Sequence, residues 1–221
     1  MRRGLIRSPA HSIHDGRKDT DLRGDQNGGV NPPVGPDSVA SRGTPDTVRI
    51  ATMADMDRIG EINTDSWRER LGGILPTAVL DSLHPSDLAL VWAGGLINPP
   101  TPAHRILVAV ASGDVAGYAA IGPSADPDAD PLTGELLALE VDPRHQRRGH
   151  GSRLMAAAVD AGRALGNHSM TAWCAVQDEV RRAFLQSAGW APDAAVRDLA
   201  VADPHAPDRT LREVRLTTDI R

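Results

Sequence analysis

Gln146, Gly149 and Gly151 stand at a spacing that suits phosphate chemistry, with Arg144, Arg147, Arg148 and Arg153 around them in the stretch "VDPRHQRRGHGSRLM". A strand-like run, "ELLALEV", arrives at Asp142 and Pro143, and a periodic apolar pattern begins after Gly151. A strand that ends in a glycine-containing turn and feeds a helix makes an anion site. Glycine lets the backbone approach closely, and the unpaired amides of the first helical turn point outward with the positive end of the dipole. His150 lies between the two glycines, and Ser152 and Arg153 add a hydroxyl and a charge to the rim. A pyrophosphate suits this geometry best. The pattern lacks the Gly-Lys-Ser/Thr ending of a Walker A loop and the third glycine of a dinucleotide fingerprint.

The elements that must hold this turn read from the flanking pattern. Val48 and Ile50 alternate as in a strand, and Thr52 with Asp55 forms a capping-box-like start to a helix carrying Met56, Ile59 and Ile62. That helix stops near Gly72 and Gly73, and a short one follows with Pro76 at its first position. "HRILVAVASGDVAGYAAIG" reads as a hairpin turning at Ser112-Gly113-Asp114. After "ELLALEV" comes a helix with Leu154, Ala158, Ala161 and Leu165 on one face, ended by Gly166. "SMTAWCAV" is a strand, "DEVRRAFLQSAGW" a helix that Gly189 ends, and "AAVRDLAV" and "LREVRLTT" a last pair of strands. The order β, α, α, β, β, β, α, β, α, β, β predicts a mixed α/β sheet flanked by helices, a single domain over residues 47–221.

Residues 1–46 hold seven glycines and five prolines with almost no apolar periodicity, which predicts a disordered or flexible tail. No apolar run reaches the length of a membrane span, and the amino end lacks a secretory apolar core. With one cysteine, Cys174, the chain can form no internal disulfide, and the cytoplasm is the expected compartment. A net charge of −5 argues against nucleic acid as a partner and favours a cationic small molecule or peptide. The histidines form no metal-ligand spacing, and Asp126, Asp128 and Asp130 carry no EF-hand pattern, so no metal is expected. Those aspartates read as a solvated acidic loop that attracts a cationic acceptor. Cys174 reads as a buried thiol, His145 and His150 as solvent-facing, and Trp67 as core or pocket wall.

Three segments in the right order carry a resemblance to a known family. "LEVDPRHQRRGHGSRLM" resembles the acyl-CoA signature of the GNAT superfamily of N-acyltransferases. "DEVRRAFLQSAGW" resembles that family's Asn-x-x-Ala-x-x-Phe-Tyr-x-x-x-Gly-Phe segment, and "SWRERLGGILP" the early helices of one bacterial branch. The resemblance implies a GNAT domain over 47–221 with acetyl-CoA as co-substrate and an amine of a small molecule, peptide or protein as acceptor. It implies that backbone at Leu139 and Val141 bonds the pantetheine arm, and that amides from Arg147 through Arg148, Gly149, His150 and Gly151 to Ser152 hold the pyrophosphate. Gln146 opens the signature, and Asp178 takes the place of an asparagine near the pantetheine. Dimers are common in the family, so a homodimer is one implied assembly, and the sequence itself does not mark the oligomeric state.

Acyl transfer to an amine needs a neutral amine, a stabilised oxyanion and a leaving thiolate. An alkylamine is about one part in a few thousand neutral at pH 7, so a carboxylate that removes the proton helps. Glu135 aligns with the general-base glutamate of the family's histone-acetylating branch. Glu140, five residues on, falls on the opposite face of a regular strand, a parity that a bulge would undo. The Val141 amide would meet the oxyanion. Where many members place a tyrosine as acid for the thiolate, this chain has Leu185, and its single tyrosine is Tyr118. Leu71 likewise replaces a frequent aromatic, and together these departures imply an acceptor pocket more apolar than usual. The reading implied is an N-acetyltransferase. The alternative is an acyl-CoA-binding sensor or interaction module with little or no turnover.

Overall fold

The computed structural model describes residues 46–201 and 209–221. The tail expected over 1–46 lies, apart from Asp46, outside the described residues. Among the described residues seven strands form one sheet: β1 (Thr47–Ile50), β2 (Arg105–Ala111), β3 (Asp114–Pro123), β4 (Thr133–Val141), β5 (Ser169–Ala175), β6 (Ala191–Val201) and β7 (Arg209–Asp219). Five α-helices among the described residues flank it: α1 (Met56–Leu71), α2 (Thr77–Asp81), α3 (Pro85–Ile97), α4 (His150–Ala164) and α5 (Glu179–Ser187). The strands lie in the order β1-β2-β3-β4-β5-β7-β6, antiparallel throughout except where β4 runs parallel to β5. This is the mixed, helix-flanked sheet expected from the sequence.

The central strands are covered on both faces, so their apolar runs are nearly continuous. On β2, Leu107 and Ala109 pack with Leu154, Met155 and Ala158 of α4, while Ile106, Val108 and Val110 pack with Met56, Ile59 and Ile62 of α1. The hairpin turns through Ser112 and Gly113 at φ +51° and +96°, the left-handed pair that a two-residue β2–β3 connection requires.

Helix α3 was not expected as a separate element. Its "PSDLALVWAGGLI" is apolar almost all round, so it shows no clear helical period. Its docking depends on Gly60 of α1, where a Cβ would lie 2.2 Å from the Pro85 carbonyl oxygen. Pro76 caps α2 from outside rather than occupying its first position.

Two irregularities create the site. β4 pairs with β5 only at Thr133–Ser169, Gly134–Met170 and Glu135–Thr171, after which the strands part. Between Leu136 and Ala138 the β3–β4 register slips, because these residues face Ile121 and Ala120, which are adjacent, and Leu137 is left over. That bulge reverses the side-chain alternation. Leu136 and Leu139 pack toward α4, whereas Leu137 and Ala138 both pack toward α1 and α3.

Candidate active site

The parting of β4 from β5 opens the sheet toward both faces, and a cavity lies on either side. One, of about 660 Å³, is lined by Leu139, Val141, Gln146 and the turn into α4; the other, of about 570 Å³, is lined by Glu135, Trp67, Trp92 and Trp173 among others. Arg70, Leu136, Glu140 and Arg181 line both and form the partition between them.

The turn into α4 is held by Asp142, which is almost fully buried. Its carboxylate accepts from the Arg144 amide at 2.8 Å, from Arg144 Nη2 at 2.9 Å and from Arg58 of α1. Burial works to raise the Asp142 pKa, but the bonds from Arg144 and then Arg58 overcome it and hold it down at about 2. The chain then passes through Arg147 at φ +61° and Gly149 at φ +82°, and Gly149 is the N-cap of α4. The left-handed kinks turn the loop back on itself where the first amides of α4 emerge, the arrangement that binds anions.

Of the residues expected at the donor site, Leu139, Val141, Gln146, Arg147, Gly149, His150, Gly151 and Ser152 line the larger cavity. Arg148 is exposed and lies outside its lining. Asp178 also lies outside. It caps α5 by accepting from the Arg181 amide at 3.0 Å, and it binds a guanidinium N–H of Arg70. His150 does not face solvent as expected: its ring is 2% exposed, and Arg153 Nη2 lies 2.8 Å from its Nδ1. Burial, then the Arg153 charge, lowers its pKa.

Glu135 and Glu140 both line the smaller cavity. The sequence placed them on opposite faces of a regular strand; the bulge at Leu137 supplies the missing step and brings them to the same side. Their surroundings differ. Glu140 accepts from Arg70 Nη2 at 2.6 Å, with Arg181 Nη1 at 3.5 Å. Glu135 forms no ion pair among the described residues. Burial, followed by the neighbouring charge of Asp126, pushes its pKa from the ordinary 4.5 up to about 7, against the pull of Arg197 and the Ala125 amide.

Arg70, in the last turn of α1, bridges the gap between the parted strands by binding Glu140 on one side and Asp178 on the other. Burial would lower its pKa, but the charges of Glu140 and Asp178 prevail and raise it. Arg181 Nη1 donates to the Leu139 carbonyl at 3.1 Å, the backbone group expected to receive a pantetheine amide. Sequence reading singled out neither arginine's role. Arg70 is one of several charged residues in "SWRERL", and nothing local marks which of them points into the sheet.

Leu185 is buried in the core and forms part of the wall of the larger cavity. Tyr118 is fully buried and packs edge-on against Trp92, their ring centroids 5.0 Å apart. Burial, then the Glu140 charge, raises the Tyr118 pKa well above the usual phenol value, which leaves it a reluctant proton donor. The Cys174 thiol is likewise pushed up, to about 11, chiefly by burial. The loop of Asp126 and Asp128 is not simply solvated. Both carboxylates are held by Arg215 of β7, Asp128 by two bonds of 2.7 Å.

A family model for the acetyltransferase (GNAT) family matches residues 64–190. The chain belongs to this family. Among GNAT relatives it is 29% identical over 132 residues to a protein named uncharacterized N-acetyltransferase YuaI from Bacillus subtilis (strain 168), covering 60% of this chain and 73% of the relative. It is 29% identical over 174 residues to the L-methionine sulfoximine/L-methionine sulfone acetyltransferase of Salmonella typhimurium (strain LT2), covering 77% and 94%. Among solved structures, the Salmonella typhimurium protein yncA, solved with its cofactor acetyl-CoA, superposes with a TM-score of 0.58 at 25% identity, over 80% of this chain and 94% of that one. The matched residues include the partition, the turn into α4 and the parted strands.

Proposed function

We propose that the protein transfers an acetyl group from acetyl-CoA to a primary amine, with Glu135 as the general base. One observation carries this reading: Glu135 faces the smaller cavity beside the strand opening, unpaired and with a pKa near neutrality. A base titrating near the working pH is ionised often enough to act and basic enough to accept a proton. The GNAT relative solved with acetyl-CoA supports a donor in the larger cavity.

In this reading the pyrophosphate rests on the amides from Arg147 to Ser152, and the pantetheine arm runs along Leu139 and Val141 to the partition. The acceptor enters the smaller cavity as an ammonium ion and yields a proton to Glu135, directly or through water. The neutral nitrogen attacks the thioester carbon, the Val141 amide meets the oxyanion, and the C–S bond breaks with its electron pair on sulfur as the nitrogen, positively charged by the attack, releases its second proton to water. With leucine at position 185 and Tyr118 holding its proton, the thiolate leaves without a tyrosine acid. Arg70 and Arg181 place positive charge beside it. The pantetheine arm must displace Arg181 from the Leu139 carbonyl, which frees that guanidinium for the partition.

Leu185 is also the observation that favours a second reading, an acyl-CoA-binding module with little turnover. Two measurements separate them: calorimetric titration with acetyl-CoA, and CoA release in the presence of a panel of primary amines. Binding with release that Glu135→Gln abolishes supports the enzyme. Binding without release by any amine supports the module, and absence of binding removes both.

A further inference from the structure

We infer that the acceptor is a primary amine with an apolar, preferably aromatic, body and no acidic group. This deepens the acetyltransferase reading and rests on it.

The chain is poor in aromatic residues, with four tryptophans, one tyrosine and one phenylalanine. Three of the tryptophans, Trp67, Trp92 and Trp173, and the tyrosine, Tyr118, line the acceptor cavity. Trp92 and Tyr118 belong at the same time to the buried core, whereas Trp67 and Trp173 are half-buried on the cavity wall. Two of the indole N–H groups are already engaged within the protein: Trp92 Nε1 donates to Asn63 Oδ1 at 3.0 Å, and Trp173 Nε1 to Asp126 at 3.2 Å. Trp173, the less buried of the two, therefore offers a ligand apolar surface rather than a donor. A volume of about 570 Å³ accommodates a ring and a short side chain.

The charges of the wall select against an acid. Arg197 lies 4.2 Å above the Trp173 ring and donates to Glu213 at 2.6 Å. Arg70 is shared by Glu140 and Asp178, and Arg181 stands beside Glu140. Arg215 behind Trp173 is held by Asp126, Asp128 and Asp193. Each guanidinium in or behind the wall thus already has a carboxylate partner, and Glu135 adds a carboxylate with none. The surplus negative potential draws an ammonium ion and repels a carboxylate or phosphonate. The relative named for L-methionine sulfone takes an amino acid, which carries the acid group this wall disfavours.

The test is acetylation of matched pairs that differ only by a carboxylate: phenethylamine against L-phenylalanine and tryptamine against L-tryptophan, with L-methionine sulfone as a polar control. The expected result is kcat/KM at least ~10-fold higher for each amine than for its amino acid, a discrimination of about 1.4 kcal/mol. Trp67→Ala should raise KM for phenethylamine while KM for acetyl-CoA stays in place. Equal rates within pairs, or preference for the amino acids or the sulfone, overturns the inference. CoA binding by calorimetry with no acetylation of any of the five overturns it and leaves the donor site standing. Failure to bind CoA overturns the acetyltransferase reading and the inference with it.

Discussion

Glu135 and Glu140 lie on the same face of β4 although five residues separate them, because the bulge at Leu137 inserts one residue into the alternation. Position alone therefore does not distinguish them, and in the proposed reaction their partners favour Glu135 as base. Glu140 is bound by Arg70 at 2.6 Å, and removing a proton from an amine would require it to break that pair. Glu135 has no cation to give up. Its burial supplies the basicity that an ordinary carboxylate lacks.

The first prediction concerns rate against pH. With Glu135 titrating near 7, kcat/KM should climb about tenfold per pH unit below neutrality and level off above it. Glu135→Gln should lower kcat by roughly 10²- to 10⁴-fold and flatten that limb, while calorimetry returns an unchanged affinity for acetyl-CoA. A variant that keeps the limb would move the base elsewhere.

The same group links stability to pH. The folded pKa of Glu135 is raised, so folding favours its protonated form. That contribution is complete below the ordinary 4.5 and is lost as pH rises to about 7. Above neutrality the buried carboxylate costs about 3 kcal/mol, which Glu135→Gln removes. The variant should melt several degrees above the wild type at pH 8, with the gap closing near pH 4. A gap that does not change with pH would show that burial of the charge is not its source.

Gly149 tests the phosphate turn. Alanine at φ +82° costs about 1–2 kcal/mol of strain or turns the amides of α4 away from the cavity. Gly149→Ala should weaken CoA binding by roughly tenfold or more in a calorimetric titration. Unchanged affinity would remove those amides from the donor site.

Arg70→Met leaves Glu140 and Asp178 buried without the guanidinium that joins them. Loss of one partner of a buried pair costs about 3–5 kcal/mol, measurable by urea unfolding. Adding Glu140→Gln and Asp178→Asn should recover most of that loss. Lack of recovery would mean that Arg70 stabilises by packing rather than by charge.

The turn into α4, proposed as the donor side, was legible as local structure in the sequence because its parts are contiguous. The strand "ELLALEV", the glycine turn and the amphipathic helix occupy 28 successive residues, 135–162, and φ-permissive glycine, helix amides and local charge act at short range. Eight of the ten residues named for that site line one cavity. The two outside it, Arg148 and Asp178, were placed by motif position. The structure uses the Asp178 carboxylate as a helix cap and as a partner for Arg70, a residue 108 positions away.

The smaller cavity, proposed as the acceptor side, is a product of the tertiary fold alone. Its wall takes Trp67 from α1, Trp92 from α3, Glu135 from β4 and Trp173 from β5, none of them close in sequence. The bulge that turns Glu140 inward is a mismatch between two strands, invisible in either one. Helix α3 was hidden because a segment apolar on every side has no period to read. Patterning thus determined the strands, most helices and the phosphate turn. Only packing of the elements decided which carboxylate stands unpaired, because a pKa depends on what surrounds a group in space.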